Sequence, residues 1–222
     1  MDSLPRNLYS FVTRYLSNCL ANGTNAVKWG IATSPKCLFC AENQTLQHVV
    51  SACKTSLNEG RWNWRHDSIL VNISRMIAKI PGVKVYSDIE GTEFQSPSVI
   101  TGDAERPDIV VVKGRECKVL ELTVGFETNI QKNSERKQRK YADMIKRLER
   151  EYDVKYFDLS MGAIGVIGNE SKNVKNMFEE LGLTPEESTY LVKKMTNVCI
   201  RSTYYIFCRR NKEWESPSLL TW

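Results

Sequence analysis

The sequence has 222 residues, with 31 lysines and arginines against 26 aspartates and glutamates, and thus a formal charge of +5. Hydrophobic residues make up 41% and charged residues 26%, a balance typical of globular proteins and unlike that of disordered or collagen-like chains. The longest apolar stretches span about eight residues, whereas a membrane-spanning helix needs about 20. The first residues also lack the pattern of a secretory signal, so we expect no membrane association.

The predicted elements begin with an amphipathic helical segment over residues 4–29, where apolar side chains recur at helical spacing. A second helix is predicted from a cap at Asp67 or Ser68 to Ile80, and Pro81-Gly82 ends it. Short strands are then predicted over Val83–Ile89, Ile109–Val112 and Lys118–Val124. The turn-like residues 113–116 join the last two strands, which predicts an antiparallel hairpin.

A long helix is predicted over Asn133–Tyr152, followed by a strand pair or a bent strand over Lys155–Ile167. The segment Thr184–Glu187 has a capping residue, a proline and a glutamate at the spacing that opens a final helix. This order predicts an α/β fold with a mixed sheet flanked by helices. We divide the chain into a helical segment (1–30), a Cys/His-rich segment with its linker (31–66) and an α/β domain (67–222).

Three of the seven cysteines crowd together, and with one histidine they form Cys-x2-Cys-x7-His-x4-Cys. Four such ligands at this spacing suit a closed, tetrahedral, structural zinc site. The alternative is a chance grouping of free cysteines with an unrelated histidine. An odd number of cysteines in a chain without export signals favours a reducing compartment, here the cytosol or nucleus. The predicted zinc ligands are Cys37, Cys40, His48 and Cys53.

Twelve residues separate Asp108, which precedes one predicted strand, from Glu121, which lies inside the next. This spacing matches a hairpin that carries both acids on adjacent strands. An ionised carboxylate in mid-strand must be paired, solvated or bound to a cation, and two of them with a backbone carbonyl would suit Mg²⁺. The alternative is that Glu121 faces solvent on an edge strand while Asp108 caps a turn.

Lys137 and Lys140 extend the apolar stripe of the following helix toward its N-terminus, because they share its spacing with Tyr141, Met144 and Leu148. Either lysine could reach a carboxylate–metal centre and neutralise a phosphate. The alternative is that both side chains extend out to solvent from the edge of the core.

Residues 131–150 hold eight basic residues against three acidic ones, a concentration that suits a phosphate backbone and equally suits a solvated helix face. The segment RWNWRH at 61–66 mixes basic and aromatic groups, as nucleic-acid surfaces do, although its tryptophans could instead pack between segments. His66 and Asp67 are adjacent on a helix, so we expect their side chains to diverge. The predicted nucleic-acid contacts are Arg61, Arg65, His66, Arg106, Lys132 and Arg136.

Taken together, these motifs resemble a known family. Arg106-Pro107-Asp108, Glu121-Leu122-Thr123 and the KQRKY segment at 137–141 are similar to a variant PD-(D/E)xK nuclease signature, in which the lysine lies on the next helix. Thr123 stands where the usual lysine would be. With the preceding Cys/His motif, residues 25–210 resemble the C-terminal part of site-specific non-LTR retrotransposon polyproteins. Those carry a zinc knuckle and a restriction-like endonuclease downstream of a reverse transcriptase.

The resemblance implies a restriction-endonuclease-like fold, preceded by a small helical segment and a CCHC zinc knuckle, that nicks target DNA in the nucleus. The 3′-OH left by the cut would prime reverse transcription, so DNA, the element RNA and a reverse transcriptase are the implied partners. Zn²⁺ would be structural, and Mg²⁺ or Mn²⁺ would be catalytic. The implied catalytic residues are Asp108 and Glu121 as metal ligands, Lys137 and Lys140 as displaced lysines, and Tyr141 beside them.

Two features depart from the pattern. The sequence contains no reverse-transcriptase segment, so it is either a fragment or a freestanding relative. An acidic ligand on the first helix of the α/β domain is also hard to place, since Asp67 is its only acid and Glu90 and Glu93 lie beyond it. The alternatives are a DNA- or RNA-binding module with a catalytically degenerate nuclease fold, and a structural zinc protein without nucleic acid.

Overall fold

The computed structural model describes residues 4–102, 105–166, 168 and 170–221. Ile167, the predicted end of the last strand, lies outside these residues. The helices are α1 (Arg6–Leu16), α2 (Gly23–Lys28), α3 (Lys54–Asn58), α4 (Arg61–Ile77), α5 (Ser98–Thr101), α6 (Ile130–Leu148), α7 (Glu170–Leu181) and α8 (Pro185–Cys208). The strands are β1 (Lys84–Ser87), β2 (Ile109–Lys113), β3 (Glu116–Gly125) and β4 (Asp153–Gly162).

The four strands form one mixed sheet in the order β1-β2-β3-β4. Strands β1, β2 and β3 are successively antiparallel, and β4 runs parallel to β3 after the crossover through α6. Gly114, at φ +58°, turns the chain between β2 and β3. The predicted hairpin and the predicted mixed α/β sheet with flanking helices are therefore confirmed.

The sheet is covered on both faces. Alternate residues such as Ile109, Leu120 and Leu159 point into a core shared with α4, α7 and α8. The intervening residues, among them Val110 and Val119, pack under α6. Because β2 is buried on both sides, it reads as a continuous apolar run and not as an alternating pattern.

Several helix boundaries differ from those predicted. Helix α6 spans Ile130–Leu148 and not Asn133–Tyr152, and α4 ends at Ile77 and not at Ile80. The N-terminal helical segment is two helices, since the chain breaks at Asn18, whose φ is +50°, and Asn22 then caps α2 by accepting a hydrogen bond from the Asn25 amide. Helix α4 begins at Arg61 after Gly60, before the predicted cap, because Trp64 and Arg65 are buried and extend its packed face. The predicted boundary between residues 66 and 67 lies inside this helix.

Within the part of the chain that the structure describes, every helix is too short or too polar to cross a bilayer.

Replacing the capping residue of α8 should destabilise the protein measurably. Thr184 Oγ1 accepts a hydrogen bond from the Glu187 amide at 3.2 Å, and the Glu187 carboxylate accepts one from the Thr184 amide at 2.9 Å. Thr184→Ala should lower the free energy of unfolding by about 1 kcal/mol, measured by urea denaturation. Thr189→Ala, in the next turn of α8, is the matched control, and equal effects of the two changes would contradict the capping role.

Candidate functional site

The Cys/His motif folds into a compact cluster. One ligand atom from each of Cys37, Cys40, His48 and Cys53 lies within 4.8 Å of the others. A tight turn positions the first two, because the Cys37 amide donates to the Glu42 carbonyl at 2.8 Å. A π-helical turn over His48–Ala52 presents the other two, and His48 Nε2 lies 3.4 Å from Cys40 Sγ. This Cys3His cluster could hold a metal ion such as zinc.

Burial and hydrogen bonds act differently on the members of the cluster. Burial raises the pKa of Cys40 to about 11, so a bound metal ion would have to displace its thiol proton. Burial lowers the pKa of His48, which keeps its imidazole neutral and able to coordinate a metal. Burial raises the pKa of Cys53, but hydrogen bonds from the Ser56 backbone and side chain lower it overall. Four ligands leave no open coordination position, so the role of such a site is structural.

The two acidic residues of the hairpin meet on the face of the sheet that α6 covers. Strand register pairs Ile109 with Leu120, which brings Asp108 opposite Glu121. The Asp108 amide donates to Glu121 Oε1 at 2.9 Å, and Asp108 Oδ2 accepts from the Leu122 amide at 2.7 Å. Glu121 is fully buried on β3, an inner strand of the sheet. The alternative that it faces solvent on an edge strand is therefore wrong.

Lys137 reaches this carboxylate pair from α6. Its Nζ lies 2.9 Å from Asp108 Oδ2, 2.7 Å from Glu121 Oε2 and 2.6 Å from the Leu122 carbonyl oxygen. The ammonium thus contacts both acids and one backbone carbonyl, as an oxygen-bound cation would. The predicted position of this lysine at the end of the apolar stripe explains the contact, because the stripe faces the sheet.

His66 belongs to the same site, although sequence reasoning assigned it to a nucleic-acid surface. Its Nε2 lies 3.3 Å from Asp108 Oδ2, and its Nδ1 lies 2.9 Å from Asp67 Oδ1. The expectation that His66 and Asp67 diverge is wrong, because the two nitrogens of the ring let it contact both acids. His66 lies one turn before Ile69 and Leu70 on α4, so helical spacing already indicated that it continues the buried face.

Neighbouring charges set the ionisation of the central groups. Burial raises the pKa of Asp108, but the charges of His66 and Lys137 and their hydrogen bonds lower it overall. Burial and the charge of Asp108 raise the pKa of Glu121 to about 7, against the opposing charge of Lys137. Burial lowers the pKa of Lys137, but the charges of Asp108 and Glu121 raise it overall. Asp108 is therefore firmly anionic and Lys137 cationic at neutral pH.

Lys140 and Tyr141 lie beside this centre in different ways. Tyr141 is buried and donates its hydroxyl hydrogen to the Arg106 carbonyl at 2.9 Å. Lys140 Nζ lies 2.8 Å from the Tyr141 hydroxyl and 4.5 Å from the ring centroid. The geometry thus separates the two predicted lysines, since Lys137 contacts the carboxylates and Lys140 contacts the tyrosine.

The predicted nucleic-acid contacts divide into buried and exposed groups. Arg61 is 0% exposed and Arg65 is 1% exposed. Neither guanidinium lies on the surface, so the prediction that both contact nucleic acid there is wrong. Arg61 donates to the carbonyls of Arg209 and Lys212, and Arg65 donates to Thr203 Oγ1 and the Val50 carbonyl. These bonds tie α4 to the knuckle and to the C-terminal segment. The exposed residues are Lys132 and Arg136 on α6, and Arg106, whose Nη1 is 3.5 Å from Asp88 Oδ1.

Asp88 is a further acid near the centre that sequence reasoning did not single out. Burial raises its pKa, the charge of Arg106 lowers it, and the charges of Asp108 and Asp67 raise it, so the pKa is raised overall. Asp88 directly follows β1, which pairs with β2, and its amide donates to the Asp108 carbonyl. The sequence could have indicated Asp88, because β1 is antiparallel to β2 and the end of β1 must therefore lie near the start of β2.

No protein-family profile matches the chain, and no curated protein matches its sequence.

Removing one knuckle ligand should remove the metal. The unmodified protein is expected to bind about one zinc ion per chain, because the segment is too small to fold on a core of its own. Cys53→Ser should lose the zinc, measured by elemental analysis, and should melt at a lower temperature. Cys19→Ser changes an exposed cysteine outside the cluster and should keep both properties. Zinc retained in Cys53→Ser would contradict the assignment.

His66 should stay protonated at neutral pH in Mg²⁺-free buffer. Burial lowers its pKa, but the charge of Asp108 and hydrogen bonds to Asp108 and Asp67 raise it to about 10 from an ordinary 6.5. Because the folded-state pKa is the higher one, the stabilisation is complete below about pH 6.5 and is lost as the pH rises toward 10. NMR titration of the ring measures this, and Asp108→Asn should shift the midpoint downward. A midpoint near 6.5 in the unmodified protein would contradict the pairing.

Proposed function

We propose that this chain is a metal-dependent DNA endonuclease of restriction-endonuclease-like fold, which nicks one strand and leaves a 3′-OH primer for reverse transcription. One observation carries the proposal. Asp108, Glu121 and the Leu122 carbonyl converge on a single cationic group at 2.6–2.9 Å. Two carboxylates and a carbonyl around one point are the hard oxygen ligands that Mg²⁺ and Mn²⁺ prefer.

The residues present fit a divalent cation. The three oxygens already surround a positive charge, and metal–oxygen distances of about 2.0–2.2 Å require them to close in by less than 1 Å. Asp108, Glu121 and the Leu122 carbonyl would hold the ion. When bound, Mg²⁺ or Mn²⁺ supplies a water of lowered pKa and stabilises negative charge on the phosphate.

Side chains of the protein itself would orient the attacking water and neutralise charge on the phosphate. The β2–β3 register holds the two carboxylates in place, and His66 fixes Asp108 through a contact with Oδ2. Lys137 carries the positive charge that would neutralise a phosphate oxygen and orient the attacking water. Tyr141 is anchored through the Arg106 carbonyl and borders the acids, and Lys140 acts through Tyr141.

The surface next to these groups supports a nucleic-acid substrate. Exposed cations lie along α6, the helix that supplies Lys137, and they match the negative charge of a phosphate backbone. They are Lys132, Arg136, Arg139, Lys140 and Lys146. Arg106, with about half of its side chain exposed, adds a cation two residues before Asp108.

The knuckle would supply further contacts with DNA or with the element RNA. The segment that carries the Cys3His cluster is packed against the rest of the chain, since Val49 and Val50 lie in one core with α1 and α8. This packing supports a fixed position for the proposed contacts. Joint action with a reverse transcriptase, in the nucleus, is proposed from the resemblance of the sequence motifs alone.

The alternative is a nucleic-acid-binding module with a degenerate nuclease fold, for which Thr123 in the usual lysine position argues. Among the residues that the structure describes, the buried Thr123 hydroxyl has no hydrogen-bond partner. Lys137 supplies an ammonium to the same carboxylates from α6, which favours an active enzyme over the degenerate module.

Nicking of supercoiled plasmid with Mg²⁺ or Mn²⁺ tests the proposal. Asp108→Ala, Glu121→Ala and Lys137→Ala should each lower the nicking rate at least about 100-fold. The first two changes remove a ligand of the metal ion, and the third removes the positive charge at the reacting phosphate. Lys79→Ala, an exposed lysine at the end of α4, is the matched control and should nick like the unmodified protein. Full activity in the Asp108 or Glu121 variant would overturn the assignment. DNA binding without any nicking by the unmodified protein would favour the binding module.

A further inference from the structure

The ammonium of Lys137 occupies the position at which the ligands of a divalent cation converge. Its Nζ lies 2.6–2.9 Å from all three oxygens, Asp108 Oδ2, Glu121 Oε2 and the Leu122 carbonyl. The Lys137 side chain is 20% exposed, and that of Glu121 is 0% exposed, so water screens these contacts poorly. The ammonium is held in this position by the anionic Asp108, by the Glu121 carboxyl group and by the Leu122 carbonyl oxygen.

A metal ion and this ammonium cannot share the same three oxygens. A divalent ion at about 2.0–2.2 Å from each oxygen would lie almost where Nζ lies now. Two positive centres so close would repel strongly in a poorly hydrated site.

The origin of the lysine makes an exchange physically accessible. A lysine two positions after Glu121 would share its strand, where Thr123 stands, and its stem would be fixed by the sheet. Lys137 instead comes from a helix packed over the sheet. Its flexible four-carbon stem lets the ammonium approach the two acids or move away from them while the strands stay in place.

We propose that Lys137 is an exchangeable internal cation: it fills the divalent-metal position in the metal-free protein and must leave that position when the metal binds. Metal binding then releases the ammonium toward the phosphate, so that one group stabilises the free site and later serves the substrate. The intrinsic metal affinity is lowered by the cost of displacing the lysine. This inference rests on the proposed metal-dependent function.

Metal affinity, measured without DNA, tests the inference. Titration calorimetry with Mn²⁺ at pH 8, on the zinc-loaded chain, compares the unmodified protein with Lys137→Met. The variant should bind Mn²⁺ about tenfold more tightly, a coupling within the range found between linked sites. Lys79→Met is the matched control and should bind like the unmodified protein. Equal or weaker Mn²⁺ binding by folded Lys137→Met would overturn the inference.

Thermal unfolding supplies a second readout. Without divalent ions, Lys137→Met should melt at a lower temperature, because its two acids are left without their partner. Ca²⁺, which has the same oxygen preference, should raise its melting temperature more than that of the unmodified protein. Lys137→Gln, which keeps a neutral hydrogen-bond donor, repeats the test if the methionine variant does not fold. Equal Ca²⁺ shifts in the variant and the unmodified protein would count against the exchange.

The two proposals fail in different ways. Equal Mn²⁺ affinities together with metal-dependent nicking that requires Asp108 would overturn the exchange and leave the nuclease intact. Failure of both the unmodified protein and Lys137→Met to bind Mn²⁺ would overturn the metal site, and the exchange with it.

Discussion

Two carboxylates, one inside β3 and one at the start of β2, meet beneath α6, and the surrounding structure depends on how their charge is compensated. Asp108 and Glu121 are largely removed from water. A carboxylate without a partner in such a place would lower the stability of the fold by several kcal/mol. Lys137 from α6 and His66 from α4 approach them and supply positive charge. The two helices that supply these groups are therefore coupled to the sheet by electrostatics as well as by apolar packing.

Helix α6 changes character along its length to match the surface beneath it. Its C-terminal half presents Tyr141, Met144 and Leu148 to the apolar side chains of β2 and β3. Its N-terminal half carries Ser134 and Lys137, which contact Asp158 and Asp108. The β3–β4 register sets Asp158 beside Glu121, so the polar half of the helix covers a polar strip of the sheet. The same helix can thus be a packing element at one end and a source of charged groups at the other.

The Cys/His segment is joined to the α/β part through buried arginines and not only through the short connection that contains α3. Arg65 donates to the Val50 carbonyl near the knuckle and to Thr203 on α8. Arg61 donates to two carbonyls after α8. A guanidinium has several donors in a fixed plane, which suits the joining of separate backbone segments inside a protein. This explains why basic residues in an aromatic-rich segment are structural here and do not form a binding surface.

Local sequence patterns were sufficient for several features. The short apolar strand segments, the turn-like residues 113–116 and the capping residues of α8 predicted the hairpin, the mixed sheet and the last helix. The Cys/His spacing predicted four ligands in one cluster, and the twelve residues between Asp108 and Glu121 predicted that they face each other. The apolar stripe of α6 placed both lysines near these acids. Each of these features follows from the covalent spacing and the regular geometry of one helix or one hairpin.

Other features depend on contacts between residues far apart in the chain. That Lys137 and not Lys140 reaches the carboxylates depends on the angle at which α6 lies over the sheet. His66 and Asp88 join the site because α4 and β1 pack beside β2. Arg61 is buried because the chain after α8 returns over it, and Arg65 is buried between α8 and the turn that carries Val50. The sequence by itself thus determined the residue types, their spacing and the faces of single elements, while the tertiary structure decided which charged groups meet. The reason is physical: local geometry is set by short-range sterics and hydrogen bonds, whereas the pairing of distant charges depends on how whole elements pack.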